Sequence, residues 1–182
     1  MPKGLIMILI ISMAFACRET EPRRPINKKK QVFLKESAKR NKSKLNIEQD
    51  LFKQVMSIDK NLKFNSTPLG FWYAHKKRGQ NQSSKPIKGD KVTFRYKIED
   101  INKNLLYDED QLGIVSFFID QEDLIPALRE GLKFMSAGDT VVFLFPSYLC
   151  FGYQGDGEKI GINQPLRYTI ELLKHEKIKN KK

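Results

Sequence analysis

Acidic residues, cysteine, histidine and tryptophan are all scarce in this chain of 182 residues. It has 21 Asp and Glu against 33 Lys and Arg, two His, two Cys and a single Trp. The net charge of +12 would suit a nucleic-acid partner, because Lys and Arg neutralise phosphates. No nucleic-acid-binding motif accompanies the charge, so we expect no nucleic acid among the partners.

The basic excess is concentrated in a few stretches rather than spread evenly. Runs of like charge are usually solvated segments. We therefore predict a basic tether over residues 17–45 and a basic tail over residues 176–182. The clusters are Lys28–Lys30, Lys35–Lys44, Lys76–Arg78 and Lys174–Lys182.

The first sixteen residues have the pattern of a secretory signal peptide. Lys3 precedes an apolar run that ends at Phe15, which is too short for a membrane-spanning helix of about 20 residues. Ala14-Phe15-Ala16 is a small-x-small cleavage site, and Cys17 follows it directly. The pattern resembles a bacterial lipobox, although Ala14 stands where that motif usually has Leu. We expect a lipoprotein signal peptide over residues 1–16, lipidation of Cys17 and anchoring to a membrane of the bacterial cell envelope, on its periplasmic face.

Two other interpretations of this N-terminus stay open. An ordinary signal peptidase would release a soluble protein, and an uncleaved anchor would leave Cys17 there by chance. If Cys17 carries a lipid, Cys150 has no disulfide partner, and we expect it to be a small buried thiol. A catalytic thiol would need a neighbouring base, whereas His75 and His175 fall on segments with a surface-like pattern.

One amphipathic helix is predicted ahead of the folded domain, over residues 46–64. Asn46 and Gln49 have the spacing of a capping box. Apolar residues follow at steps of three and four, at Ile47, Leu51, Val55, Ile58 and Leu62. No heptad pattern is long enough for a coiled coil. The helix either packs on the domain or associates with a partner or a second copy.

Alternating apolar and polar residues predict strands in the remaining sequence. Lys91–Asp100 and Leu166–Leu173 alternate along their whole length, as half-buried strands do. Thr140–Phe145 is a continuous apolar, β-branched run, typical of a buried strand. Strands together with one short helix predict an α+β domain over residues 66–175.

The most specific pattern is LIPALREGLKFMSAGD, residues 124–139, followed by FPSYLCFG, residues 145–152. Pro126 suits the first turn of a short helix, and Gly131, Met135 and Gly138 follow at intervals of three or four residues. These features resemble FKBP-type peptidyl-prolyl cis-trans isomerases. The resemblance implies a twisted antiparallel sheet of about five strands wrapped around one short helix. The N-terminal signal, the Lys-rich helix and Gly70–Tyr73 are more narrowly similar to the gliding-motility-associated isomerase lipoproteins of the Bacteroidetes.

The resemblance also implies a site that uses no metal and no cofactor. Rotation about an X-Pro bond breaks no covalent bond, and an apolar cavity favours the twisted amide, which is less polar than the planar one. Tyr96 is expected to hold Asp108 by a hydrogen bond, and the Ile125 N–H to anchor a substrate carbonyl. The implied catalytic residues are Tyr96, Asp108, Ile125 and Phe151, and the implied substrate-binding residues are Tyr107, Val115, Leu124, Leu128, Ile160 and Tyr168.

Three departures from the family pattern bear on activity. Leu128 replaces the usual Trp floor, Phe151 replaces a Tyr, and the loop from Asp108 to Val115 is short. Two functions therefore compete. One is an isomerase of low activity that assists the folding of exported or envelope proteins and acts on proline-containing polypeptides. The other is a weakly catalytic or non-catalytic binding module that assembles an envelope or motility complex.

Overall fold

A computed structural model describes residues 28–80 and 84–178 of the protein. The chain divides into two compact units, residues 1–39 and residues 40–182. Cys17, the predicted signal peptide and the last part of the predicted basic tail lie outside the described residues.

A mixed α+β architecture confirms the predicted fold class. After helix α1 (Lys28–Ile58), the sheet strands alternate with two short helices, α2 (Glu109–Leu112) and α3 (Pro126–Leu132), and a 3₁₀ turn (Ser147–Leu149). The strands are β1 (Asn65–Ser66), β2 (Trp72–Lys77), β3 (Lys91–Asp100), β4 (Leu105–Tyr107), β5 (Val115–Phe118), β6 (Thr140–Phe145) and β7 (Leu166–Glu176).

The sheet is antiparallel throughout the described residues, in the order β1-β2-β6-β7-β3-β4, with β5 also paired to β3. It has seven strands rather than about five. The difference comes from strands such as β1 and β4, of two and three residues, which are too short to show an alternating pattern in sequence. The long central pair, β3 and β7, coincides with the two clearest alternations.

Helix α1 corrects the predicted boundary between tether and helix. It begins at Lys28, inside the predicted tether, and ends at Ile58 rather than at residue 64. Asn46 therefore lies within the helix and not at its N-terminus. The stretch from Lys35 to Lys44 is polar on all sides, so it carries no apolar period, yet Lys, Arg, Glu and Ala are good helix formers.

The buried face of α1 also differs from the predicted one. Phe52 is fully buried and Glu48 is 6% exposed, whereas Ile47 and Ile58 are 59% and 79% exposed. The contact face is thus turned by about one residue, or 100°, from the stripe that the apolar residues suggested. From Arg40 onward the helix packs on the domain, which was one of the two expected roles. None of the described helices is long and apolar enough to cross a membrane.

The two faces of the sheet are covered by different helices. Tyr73, Phe143 and Tyr168 are aligned across β2, β6 and β7, and their neighbours Trp72, Leu144 and Arg167 are aligned one residue away. Successive residues of a strand point to opposite faces. The first set faces the main core, and the second faces α1.

Helix α3 packs closely against the core face of the sheet. Leu128 and Leu132 are 1% and 0% exposed. A Cβ atom added to Gly131 would lie 3.0 Å from Cζ of Phe145, so the helix backbone comes within reach of that ring. This close approach explains why glycine stands at position 131, in a helix that glycine otherwise disfavours.

On the opposite face, polar contacts fix α1. The Trp72 Nε1–H donates to Oε1 of Gln49 at 2.7 Å. Oε1 and Oε2 of Glu48 accept from Oγ and N of Ser147 at 2.5 and 3.1 Å. At the end of the helix, Nη2 of Arg167 lies 3.2 Å from Oδ2 of Asp59, and both side chains are buried. Helix and sheet are therefore joined at several points along the helix.

Candidate functional site

Every apolar and aromatic residue of the predicted site belongs to the main apolar cluster or packs against it. Leu128, Ile160 and Tyr168 are buried members of the main apolar cluster. The others are partly buried and pack against it: Tyr96, Tyr107, Val115, Leu124, Ile125 and Phe151. These residues come from four strands, one helix and two loops, so only the tertiary fold makes them neighbours.

Aromatic rings form the centre of this set. The Tyr96 and Tyr168 rings are stacked, with centroids 6.0 Å apart and planes 7° apart. Phe145 meets Tyr168 edge to face at 5.5 Å. Tyr96 opposes Ile170 on the neighbouring strand, and Tyr168 opposes Ile98, so the stacked pair is a diagonal cross-strand pair. One ring of the pair is fully buried, whereas Tyr96 is partly exposed.

The segment that opens helix α3 carries a backbone N–H donor at Ile125, which packs against the same apolar cluster as these rings. Ile125 is the N-cap residue, and its carbonyl accepts from Leu128 N and Arg129 N at 3.0 and 3.1 Å. Its own N–H has no acceptor among the described residues. Pro126 follows in the first turn, where its missing N–H costs nothing. The predicted role of Ile125 requires such an uncommitted donor.

Asp108 is not held by Tyr96, which corrects the expected hydrogen bond. Its Oδ1 accepts from Gln111 N at 2.7 Å, and its own N–H donates to Gln111 Oε1 at 3.3 Å. This is a complete capping box at the start of α2. Among the hydrogen bonds of residues 28–80 and 84–178, none joins Tyr96 to Asp108. The short loop after Asp108 folds into a helical turn, and the backbone N–H of Gln111 in that turn donates to the Asp108 carboxylate.

A carboxylate that the sequence did not single out lies at the edge of the set. The Tyr107 hydroxyl donates to Oδ2 of Asp156 at 2.5 Å, and Oδ1 accepts from the N–H groups of Glu158 and Ile160 at 2.9 and 2.8 Å. Nζ of Lys159 lies 4.6 Å from the Tyr107 ring centroid. The loop that carries Ile160 is thereby fastened to β4. Residues 107 and 156 are 49 positions apart, so no local pattern could have paired them.

The pKa values at this contact follow from the hydrogen bonds. The bond to Asp156 raises the pKa of Tyr107 to about 12. Desolvation works to raise the pKa of Asp156, but the Tyr107 hydroxyl and the backbone N–H groups outweigh it and lower that pKa to about 2. Tyr107 is therefore a neutral donor and Asp156 an ionised acceptor at neutral pH.

Cys150 is partly buried against the main apolar cluster, and Tyr168 is fully buried within it. Burial raises the pKa of the Cys150 thiol and that of the Tyr168 phenol. A thiol with a raised pKa is a poor nucleophile, which agrees with the structural role expected of Cys150. His175, expected at the surface, is in fact buried, and its Nε2 lies 2.8 Å from Oδ2 of Asp90.

The described side chains provide no candidate metal-binding site. Within residues 28–80 and 84–178, no group of three or more His, Cys, Asp or Glu is arranged to hold a metal ion. What the arrangement offers is an apolar, aromatic surface with one backbone donor beside it and a carboxylate at its edge.

The fold and this set of residues define the class of FKBP-like α+β domains. The overall fold is similar to a crystal structure of a peptidyl-prolyl cis-trans isomerase from Pseudomonas syringae pv. tomato, with a TM-score of 0.60, 20% identity and coverage of 75% of this chain and 96% of that one. It is also similar to FkpA from Escherichia coli, with a TM-score of 0.58, 23% identity and coverage of 96% and 83%.

Sequence comparison gives the family. Residues 82–173 match the family model of FKBP-type peptidyl-prolyl cis-trans isomerases. The chain belongs to that family, as its sequence pattern predicted. It is 32% identical over 111 residues to the probable FKBP-type peptidyl-prolyl cis-trans isomerase FkpA of Neisseria meningitidis serogroup B, a match that covers 60% of this chain and 39% of that protein.

Proposed function

We propose that this chain is an active peptidyl-prolyl cis-trans isomerase that acts on proline-containing segments of exported polypeptides. The observation that carries the proposal is the Ile125 N–H, which has no acceptor among the described residues, in a residue that packs against the same apolar cluster as Tyr96 and Phe151. A substrate carbonyl would accept from this N–H, while the proline ring would pack on Leu128, Phe151 and the Tyr96 ring.

Catalysis in such a site comes from solvation rather than from acid or base. The barrier to rotation is about 18–20 kcal/mol because amide resonance is lost in the twisted state. The twisted amide has the smaller dipole, so a dry aromatic surface favours it over the planar form. A fixed N–H that holds the neighbouring carbonyl keeps the substrate oriented during the rotation. The Asp108 carboxylate, at the N-terminal cap of α2, would alter the electrostatic field around the substrate carbonyl.

The test is a protease-coupled isomerisation assay with a Phe-Pro peptide. Wild type should accelerate the slow phase, and Phe151→Ala should lower kcat/KM about tenfold, because a wall of the site is lost. Leu173→Ala is a matched control, since Leu173 is a 39% exposed residue of β7 that is not among the predicted site residues. Equal rates with wild type and with buffer alone would contradict the proposal.

A second candidate is a non-catalytic module that binds proline-containing segments. The Leu128 and Phe151 replacements favour it, since they remove an aromatic floor and a hydroxyl. The same assay separates the two candidates when it is combined with peptide binding. A module would bind a Phe-Pro peptide without accelerating its isomerisation, whereas the enzyme would do both.

Lipid anchoring in the bacterial envelope is part of the proposal and is supported by the sequence that precedes Cys17. One acyl chain anchors a protein only marginally, but further chains or basic residues such as Lys28–Lys30 make the binding stable. Mass spectrometry of the native protein should find a lipid-modified N-terminal Cys17. An unmodified Cys17 or an intact Met1 would refute the anchor.

The link to gliding motility is the narrowest part of the proposal. It is supported by the similarity of the N-terminal signal, the Lys-rich helix and Gly70–Tyr73 to motility-associated isomerase lipoproteins. Deletion of this protein in a gliding host should stop colony spreading, and a copy with Phe151→Ala would show whether turnover is required. Normal gliding after deletion would refute the link.

A further inference from the structure

A preformed groove lies next to the candidate site, on the other side of the loop that follows β6. Its volume is about 510 Å³, within the usual range for ligand sites. Leu45 and the stem of Lys44 on α1 form one wall, and Tyr148 and Tyr153 form the other. All of these residues belong to the unit from Arg40 to Lys182.

The rings in the groove are fixed while their faces stay exposed. The Tyr153 hydroxyl donates to Oδ1 of Asn41 at 2.9 Å, and the Tyr148 hydroxyl donates to the Leu69 carbonyl. Nζ of Lys44 donates to Oδ1 of Asn163 at 2.8 Å and lies 4.3 Å from the Tyr153 ring centroid. Even so, Tyr148 and Tyr153 are 54% and 67% exposed. The Lys44 ammonium covers part of one face of Tyr153. The rest of both rings is held in place by the hydroxyls and stays exposed to a ligand.

The floor of the groove is closed by a satisfied carboxylate. Glu48 is 6% exposed, and both of its oxygens accept hydrogen bonds from Ser147. The rim carries the positive charges of Lys42 and Lys44. The groove is thus aromatic inside and basic at its edge.

The groove and the candidate site share one thin wall. Phe151 packs toward the main core, whereas its neighbours Gly152 and Tyr153 line the groove. The Cα atoms of Phe151 and Tyr153 can be at most about 7.6 Å apart, because consecutive Cα atoms are about 3.8 Å apart. An extended polypeptide advances about 3.3 Å per residue, so a few residues beyond a bound proline would reach the groove.

We propose that this groove binds a second stretch of the same extended polypeptide whose X-Pro bond occupies the isomerase site. This inference rests on the proposed function. Extended, proline-rich chains dock in grooves lined by aromatic rings, because they lose little entropy on binding. The amides of Asn41 and Asn163 can bond to the backbone of such a chain. Lys42 and Lys44 select for acidic residues near the proline.

Binding and turnover are measured with two peptides that share one Phe-Pro core, a tetrapeptide and a twelve-residue peptide extended with acidic and proline residues. Tyr153→Ser removes the exposed ring, and Tyr153→Phe keeps the ring but not the hydroxyl. Ile162→Ser is the matched control, since Ile162 is 68% exposed and does not line the groove. Circular dichroism checks that each variant is folded.

We expect Tyr153→Ser to weaken binding of the long peptide about tenfold while kcat/KM on the tetrapeptide stays within twofold. Tyr153→Phe should recover most of the affinity, Lys44→Glu should lower it for the acidic long peptide, and Ile162→Ser should change nothing. Unchanged affinity of the long peptide in both Tyr153→Ser and Lys44→Glu would overturn the proposal. So would Tyr153-dependent binding of a single-stranded oligonucleotide by wild type together with no measurable binding of the long peptide.

The experiment distinguishes this inference from the proposed function. Absence of turnover of the tetrapeptide by wild type would refute the isomerase activity alone. Affinity for the long peptide, measured by fluorescence anisotropy, does not require turnover and would still decide whether the groove binds polypeptide.

Discussion

The contact between Glu48 of α1 and Ser147 offers the sharpest test of how the N-terminal helix is joined to the domain. Ser147 begins the segment that carries Phe151, so the contact supports both the groove and the candidate site. Glu48 and Ser147 are 6% and 5% exposed. The perturbation is Glu48→Ala, which removes the carboxylate and leaves the N–H and the hydroxyl of Ser147 without that acceptor.

The expected cost follows from the two hydrogen bonds. A hydrogen bond to a charged acceptor contributes about 1.5–3 kcal/mol. Two of them would give roughly 3–6 kcal/mol, but water in the adjoining groove can reach the donors and recover part of this. We expect a loss of about 2–4 kcal/mol in the free energy of unfolding. For a protein of this size, each kcal/mol corresponds to about 2–4 °C in Tm, so Tm should fall by roughly 4–16 °C.

Urea unfolding followed by circular dichroism measures the change, with Asp50→Ala as the matched control on the same helix. Asp50 pairs with Lys53 at 2.9 Å, but both side chains are more than 60% exposed, and such pairs contribute little. The Asp50 variant should therefore lie within 0.5 kcal/mol of wild type, as surface substitutions usually do.

A double-mutant cycle with Ser147→Ala isolates the interaction itself. If Glu48 and Ser147 are coupled as the distances indicate, the two single losses should not add, and the coupling should be about 1 kcal/mol or more. A Glu48→Ala loss no larger than that of Asp50→Ala, or strictly additive losses, would refute the reasoning and would mean that the helix does not depend on this contact.

Three further predictions concern the buried face of α1, the Asp108 carboxylate at the start of α2 and the Tyr107–Asp156 contact. Phe52→Ala should lower the free energy of unfolding by about 3–5 kcal/mol, and Ile47→Ala by less than about 0.5 kcal/mol, as measured by equilibrium denaturation. A larger loss for Ile47→Ala would mean that the helix buries the face predicted from sequence. Asp108→Asn keeps a capping side chain but removes the charge, so kcat/KM should fall about tenfold at unchanged Tm; equal turnover would leave Asp108 a structural role only. Because the folded pKa of Asp156 is lowered to about 2, its stabilising contribution is present above the ordinary carboxyl pKa of 3.8 and lost as pH falls toward 2. Asp156→Asn should therefore flatten the Tm profile over that interval, and an unchanged profile would show that the Tyr107 contact does not form in solution.

The sequence by itself determined those features that have a local physical signature. A strand with one buried face must alternate, so β3 and β7 could be predicted nearly to their ends. Pro126, Gly131 and the apolar residues between them specify a short helix that packs closely on the sheet. The family pattern around residues 124–152 identified the class of enzyme. The apolar and aromatic site residues that the resemblance implied all lie in the main cluster or against it.

Tertiary structure decided the rest, because the missing information is not local. Helix α1 uses a buried Glu48 and Phe52 for its contact face, and a buried carboxylate is expected only once Ser147 is known to lie opposite it. Asp108 was expected to bond to Tyr96, but the turn that follows it places Gln111 N 2.7 Å from its Oδ1. The Tyr107–Asp156 contact joins positions far apart in the chain, and only the folded backbone places a donor and an acceptor within 2.5 Å of each other. A hydrogen bond depends on distance in space, which residue spacing along the chain fixes only within a single helix, strand or turn.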